Sequence, residues 1–193
     1  MNWQIFEHCR DLRGVLIDLG AGKDPSYGKY WRINPSKLIR VDMGDGADVI
    51  VDLNKPLPFE SGSADAVFLF SIIYIIENPE ALMKEIRRIL KNSGKLFIYS
   101  PFIFNESKEP DDYLRFTSQG LERILKEGGF SRYELIPVGG RFTAAIYLSE
   151  KIFLFKTVKL FLRIIALFLD KIYPMRLQKL HPCPVGYFVQ AIK

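Results

Sequence analysis

The chain has 193 residues, 48% of them hydrophobic and 25% charged, a composition that suits a single globular domain and excludes a disordered or fibrous polymer. Its two cysteines, Cys9 and Cys183, are too few for a disulfide framework, and MNWQIFEHCRDLRG contains no apolar leader core, so a cytoplasmic setting is expected. The net charge of +5 is unevenly placed: residues 1–138 hold 18 Lys and Arg against 20 Asp and Glu, residues 139–193 hold 9 against 2, and the basic end asks for an anionic partner.

From Gly14 onward, short β-branched runs alternate with helical patterns. Val15–Leu19 reads as a buried strand stopped by Gly20-Ala21-Gly22. Leu38–Asp42 and Asp48–Asp52 are the second and third strands, Asp65–Phe70 the fourth, and Lys95–Ser100 the fifth, entered from Asn92-Ser93-Gly94. These are continuous apolar runs, as parallel strands covered on both faces require. Between the first two strands, Lys23–Trp31 holds too much Pro and Gly for a full crossover helix, and a short helical turn or irregular loop is expected.

Pro79–Leu90 is the clearest helix, with Asn78 as N-cap, Pro79 at the first position, and Leu82, Ile86, Ile89 and Leu90 on one face. Thr117 caps a further helix that runs to Glu127 and stops at Gly128-Gly129, and Phe130–Val138 and Val185–Ile192 are the last strands. This rhythm predicts a doubly wound α/β sheet with helices on both faces.

The chemistry concentrates where strands end. Asp18-Leu19-Gly20-Ala21-Gly22 follows the first strand, and Asp42 closes the second, 22 residues after Gly20. Glycines at such a turn let the backbone approach a ligand, and a carboxylate about 20 residues on accepts ribose hydroxyls. The third glycine of the dinucleotide fingerprint is absent, so a nucleoside ligand without phosphates fits better. His181-Pro-Cys183-Pro offers two ligands with no companions, and no metal site is expected.

Val15–Gly22 resembles the first motif of class I S-adenosylmethionine-dependent methyltransferases. Asp52-Leu53-Asn54-Lys55-Pro56-Leu57-Pro58-Phe59 with Ser63–Val67, Glu85–Leu96, and Asp112-Tyr113-Leu114-Arg115-Phe116-Thr117 with Gly120-Leu121 are similar to further motifs of the type 11-like branch, in the same order. The resemblance runs from Val15 to Phe130 and resumes at Gly186–Val189.

It implies a Rossmann-like, seven-stranded, mostly parallel sheet in one domain over residues 1–193, and S-adenosylmethionine as cofactor with S-adenosylhomocysteine as product. Asp18, Gly20, Ala21 and Gly22 would line the methionine portion, Asp42 would hold the ribose with Met43 against the adenine, and Asp52 and Leu53 would meet the adenine edge. Phe70 and Ser71 would face the sulfonium. Tyr74, Tyr113 and Arg115 are the catalytic candidates, with Asp112 and Phe116 on the acceptor side. The chain departs from the pattern at Tyr74-Ile75, where many relatives carry Glu-His. Asp112 and Arg115 have a second reading, in which they pair with each other and order their loop.

Relatives join the last two strands by a short hairpin, whereas residues 141–184 intervene here as a helical insert. Lys151–Asp170 reads as one long amphipathic helix with Lys156, Lys159, Arg163 and Asp170 on one stripe. No stretch reaches the ~18 uncharged apolar residues of a membrane span. Peripheral membrane or lipid contact through 151–170 and packing on the body or in a homodimer are both open, and nucleic acid trails them because the segment is so apolar. The expected activity is methyl transfer to a small-molecule acceptor, with a saccharide or lipid-linked intermediate as the class considered. A non-catalytic cofactor-binding scaffold and a nucleic-acid-modifying methyltransferase are the alternatives.

Overall fold

The computed structural model describes every residue except Pro110, and the side chains of Met175 and Lys179 lie outside the description. Helix α1 (Asn2–His8) precedes β1 (Val15–Leu19), a 3-10 turn (Gly28–Tyr30), β2 (Lys37–Asp42), β3 (Val49–Ile50) and β4 (Ala64–Phe70). A second 3-10 turn (Ile73–Ile75), α2 (Pro79–Ile89), β5 (Leu90–Pro101), α3 (Ser118–Glu127) and β6 (Arg132–Val138) follow. Then come α4 (Arg141–Ser149), α5 (Lys156–Ile172), α6 (Met175–Leu180) and the last strand, β7 (Gly186–Ile192). The strands form one seven-stranded sheet ordered β3-β2-β1-β4-β5-β7-β6. It is parallel apart from β7, which runs antiparallel to β5 and β6.

Local chemistry explains the helices. The Asn78 side chain accepts a hydrogen bond from the Ala81 N–H at 2.9 Å and Pro79 starts α2, while the Thr117 hydroxyl accepts from the Gly120 N–H at 3.2 Å and starts α3. Both caps satisfy N–H groups that a helix start leaves without partners. Leu82, Met83, Ile86 and Ile89 of α2 and Leu121, Ile124 and Leu125 of α3 bury against one face of the sheet. Each such side chain contributes about 1.5–3 kcal/mol by leaving water. On the other face, α1 brings Ile5, with Cys9 and Leu12 after it, into a cluster with Leu16, Tyr27, Phe68 and Phe97.

The motifs around Leu57 and Glu85 are one network. Arg88 donates to the Phe59 and Leu57 carbonyls at 2.7 and 2.9 Å and to Glu85, whose carboxylate accepts the Leu57 N–H at 2.9 Å. Asp65 accepts the Val15 N–H at 2.8 Å and the Lys91 ammonium at 2.7 Å, pinning the start of β1 to β4 and β5.

Three boundaries differ from the sequence expectation. Asn92–Gly94 lies within β5 as an irregularity, with the register shifting between the pairs Ala64–Leu90 and Ala66–Lys95. Strand β3 spans Val49–Ile50 instead of Asp48–Asp52, whereas Lys23–Trp31 holds one 3-10 turn, Gly28–Tyr30, as expected. Residues 151–155 are not helical: α5 begins at Lys156, after a separate α4. The two helices are stapled together, because Asp170 near the end of α5 accepts the Gly140, Phe142 and Thr143 N–H groups at 3.1, 2.9 and 2.9 Å. Gly140, the N-cap of α4, has no side chain to do this, and a Cβ there would lie 2.5 Å from the Asp170 carboxylate. At the other end, Glu150 takes both an Nε and an Nη2 hydrogen bond from Arg163, the latter at 2.7 Å. Asp170 and Arg163 therefore hold the two ends of α4, Asp170 from a half-buried position and Arg163 from an exposed one.

Candidate functional site

The sheet reverses its winding between β1 and β4, and the cleft outside the carboxyl ends of strands at such a point is where ligands bind in this architecture. A cavity of about 650 Å³ opens there, lined by Gly20 after β1, Asp42 and Met43 at the end of β2, and Val51–Asn54 after β3. Its far wall is Ile72, Ile75, Ile76 and Glu77 after β4, with Asp111 and Tyr113 at the rim. The volume is within the range that holds a drug-sized ligand.

Gly20 donates to the Val41 carbonyl at 2.7 Å with φ +72°, and a Cβ there would meet Ile72 at 2.3 Å, so only glycine fits. Gly22 has φ +62° with open space where a side chain would start, and its N–H donates to the Asp42 carboxylate at 2.9 Å. The other Asp42 oxygen accepts the Gly44 N–H at 2.9 Å. The carboxylate is thus clamped at the cavity wall with one hydrogen bond on each oxygen. Each keeps accepting capacity for a ligand hydroxyl. Asp52 accepts the Asn54 N–H at 2.9 Å, and the Asn54 side chain accepts from Glu77 N–H at 3.0 Å, which ties the two walls together. Four carboxylates, Asp42, Asp52, Glu77 and Asp111, line the cavity with no cationic side chain among the described lining residues. The field favours a positively charged ligand.

Asp18 is fully buried beneath this turn and accepts from the Tyr27 hydroxyl at 3.1 and 3.0 Å. Burial pushes its pKa up to about 7, against the opposing pull of the Tyr27 hydrogen bond and the Arg40 charge. Tyr27 packs on Phe70 at 5.1 Å and on Trp31 at 5.4 Å, so the Lys23–Trp31 loop is anchored under the glycine turn. Ala21 is buried, donating to Val41. Ser71 sits at the end of β4 with φ +57°, its N–H on the Tyr99 carbonyl at 2.9 Å.

Besides the buried Asp18 and Ala21, two more of the expected site residues lie in the core away from the cavity. Phe70 is buried between Tyr27 and Phe188 on the face away from α2, and Phe116 is buried in the core with α3. Neither borders a described cavity, because β4 turns Phe70 inward and the loop before α3 turns Phe116 inward. Asp112 and Arg115 pair with each other in a two-pronged bridge, and Asp112 also accepts the Ser107 N–H at 3.0 Å. The guanidinium holds the Asp112 carboxyl below the usual carboxylate range. Its own charge is matched in return, so it orders the loop instead of offering a free anion clamp.

The Tyr74 ring lies 5.1 Å from the Arg115 guanidinium and its carbonyl accepts the Tyr113 and Leu114 N–H groups at 3.0 and 3.1 Å. Burial, then the Asp112 charge, raises the Tyr74 pKa. The phenol stays protonated at neutral pH and is no base in that state. Tyr113 is exposed, its hydroxyl donating to Asp111 at 3.1 Å. A smaller cavity of about 280 Å³ next to it is lined by Phe104, Glu106 and Asp112–Arg115.

Sequence reading missed Tyr27, Glu77 and Asp111. Asp111 adjoins the motif residue Asp112 and Glu77 precedes the α2 cap, so both were within reach. Tyr27 carries no local signal that separates it from Tyr30.

A family profile described as a methyltransferase domain matches residues 17–98, the stretch that contains the end of β1, the glycine turn, Asp42, β2–β4 and the Leu57–Glu85–Arg88 network. The match covers less than half of the chain, and that segment is similar to methyltransferase domains. Beyond it, the chain is 26% identical over 104 residues to sterol 4-C-methyltransferase strm-1 of Caenorhabditis elegans, covering 48% of this chain and 30% of that protein. It is 25% identical over 168 residues to the tRNA U34 carboxymethyltransferase of Campylobacter lari, covering 69% and 58%. Among solved structures, Haemonchus contortus phosphoethanolamine N-methyltransferase 2 in complex with S-adenosyl-L-methionine shares the fold with a TM-score of 0.63 at 18% identity. That match spans all of this chain and 52% of the other. The chain therefore covers about a third to three fifths of the length of these proteins. Their acceptors are a sterol, a tRNA and phosphoethanolamine, by name, and do not agree.

Proposed function

We propose that this chain binds S-adenosylmethionine in the 650 Å³ cavity and transfers its methyl group to a small-molecule acceptor, a saccharide or a lipid-linked intermediate. The observation that carries the reading is the Asp42 carboxylate, held by the Gly22 and Gly44 N–H groups at the cavity wall with both oxygens still able to accept. The residues fit the ligand. Asp42 takes the ribose hydroxyls, Met43 and Leu53 the adenine faces and Asp52 the adenine edge. Gly20–Gly22 admit the methionine portion, since Gly22 leaves open space there. A cation entering a cavity with four carboxylates is attracted at long range.

When bound, the cofactor supplies an electrophilic methyl group on a sulfonium. The protein's part is then positioning: the clamped Asp42, the glycine turn and the isoleucine wall fix one reactant, and Tyr113 at the rim presents its hydroxyl on the acceptor side, next to the Tyr74 ring that packs on Arg115 and Phe104. Tyr74, protonated, donates a hydrogen bond to the acceptor instead of taking its proton. On a saccharide or lipid-linked intermediate an amino or carboxylate group, already nucleophilic, suits the site better as acceptor than an aliphatic hydroxyl. A non-catalytic cofactor-binding reading draws on the same feature, the isoleucines and protonated tyrosine where relatives carry Glu-His.

The test is transfer of radiolabelled methyl from S-adenosylmethionine when the protein is offered a lipid extract, a soluble sugar fraction and total RNA separately. Label in the lipid or sugar fraction supports the reading. Label in RNA alone, or tight binding with no transfer to any fraction, overturns it in favour of one of the alternatives.

A further inference from the structure

We propose that α5 docks on the surface of an anionic lipid bilayer with its axis parallel to the membrane. Helical spacing places Lys156, Leu160, Ile164, Leu167 and Lys171 on one stripe, with Phe161, Phe168 and Ile172 beside it. All are exposed, Leu160, Phe161, Ile164 and Phe168 at 58 to 63%. The opposite flank is occupied by α4, through buried Ala166, the Asp170 bonds to the start of α4 and the Glu150–Arg163 bridge. The apolar side thus faces away from the protein, and Ile152, Leu154 and Phe155 ahead of the helix extend it. Single exposed apolar residues are ordinary, but a continuous face of this width marks an interaction surface.

Charge selects the occupant. The only acidic residues of 139–193, Glu150 and Asp170, are both engaged inside the segment, so what it presents outward is basic: Lys151, Lys156, Lys171 and Arg176 are exposed. A second copy meeting this face about a two-fold axis would bring the same lysines together, and like charges at an interface oppose association. A nucleic acid would match the lysines but not the phenylalanines and leucines between them. An anionic bilayer matches both, with the rings and aliphatic chains below the headgroups and the lysines reaching up to them. At 17 residues α5 is about 25 Å long, and no described helix is long and apolar enough to cross a membrane, so it lies on the surface. The docked helix is tied to the candidate acceptor loop, because Tyr147 of α4 stacks on Phe104 at 6.2 Å beside the Tyr113 and Arg115 cavity.

The test is co-sedimentation of the full chain with vesicles of phosphatidylcholine alone and of phosphatidylcholine mixed with phosphatidylglycerol. The expected result is retention by the mixed vesicles, weakened by added salt, with little retention by phosphatidylcholine alone. The double variant Phe161→Ser/Phe168→Ser should lose about tenfold or more in partitioning while keeping its circular dichroism, since both rings are exposed. The variant Lys156→Gln/Lys171→Gln should lose the preference for phosphatidylglycerol. The proposal is overturned if the wild type stays in solution with both vesicles, or if the serine variant binds as well as the wild type. It is overturned too if the wild type sediments as a dimer that the serine variant dissociates without any vesicle binding, or if RNA and not vesicles retains it. Binding is read without cofactor, so failure here leaves the methyl-transfer reading standing, and the reverse.

Discussion

The sheet with α1–α3 and the helices between β6 and β7 use the same kinds of side chain in opposite ways. In the former, leucine, isoleucine and phenylalanine face inward, and the polar motif residues fasten strands and loops around one cleft. In α4 and α5 the acidic residues are turned inward to join the two helices, and large apolar residues face out. The first arrangement is what a protein needs to hold a ligand. The second is incomplete without something to cover it.

That contrast breaks at predictable places. Ile86→Ala, in α2 against the sheet, is expected to cost about 2–5 kcal/mol in a urea unfolding series because it leaves a cavity that the sheet cannot close. A pH series should show the next largest effect. Native Asp18 has a pKa of about 7, above its ordinary 3.8, so the folded state holds the proton more tightly than the unfolded chain does. The stability it contributes is complete below the ordinary value and falls as pH rises toward 7, by at most ~1.4 kcal/mol per pH unit. Asp18→Asn should flatten that slope, and an unchanged slope would mean that Asp18 is ionised in the folded protein.

Smaller effects belong to the other region. Asp170→Ala removes the acceptor at the start of α4 and is expected to lower stability by about 0.5–2 kcal/mol, read as earlier proteolysis between Gly140 and Lys171. Phe168→Ser, outward on α5, should stay within about 0.5 kcal/mol of wild type in the same unfolding series. A core-sized loss there would show that the face is covered by the protein itself.

Much of the sheet region was legible because its signals are local. Asn78-Pro79 and Thr117 name their own helix starts, and Gly20-Ala21-Gly22 followed by Asp42 names the turn and the carboxylate that the structure joins through the Gly22 N–H. What escaped depends on partners far away in the chain or on the third dimension. Asp170 falls on the same helical stripe as Lys159 and Arg163, yet its function is set by N–H groups some 30 residues earlier. The end of α4 and start of α5 left a readable trace, since Ile152-Phe153-Leu154-Phe155 is a continuous apolar run without helical spacing. Helix α1 buries only Ile5 and carries no side-chain cap, too little pattern to be seen. Arg115 has the chemistry of an anion clamp, and only the fold shows Asp112 already in its fork.

We propose that the cleft over β1, β2 and β4 is a nucleoside cofactor site with Asp42 as its anchor. Its most direct test is calorimetric titration of the wild type and of Asp42→Ala with S-adenosylmethionine and S-adenosylhomocysteine, with NAD as control. The wild type is expected to bind the first two at about micromolar concentration and not NAD, and Asp42→Ala to bind neither while unfolding at close to the same temperature. Wild-type affinity in Asp42→Ala, or no binding by the wild type, would contradict it.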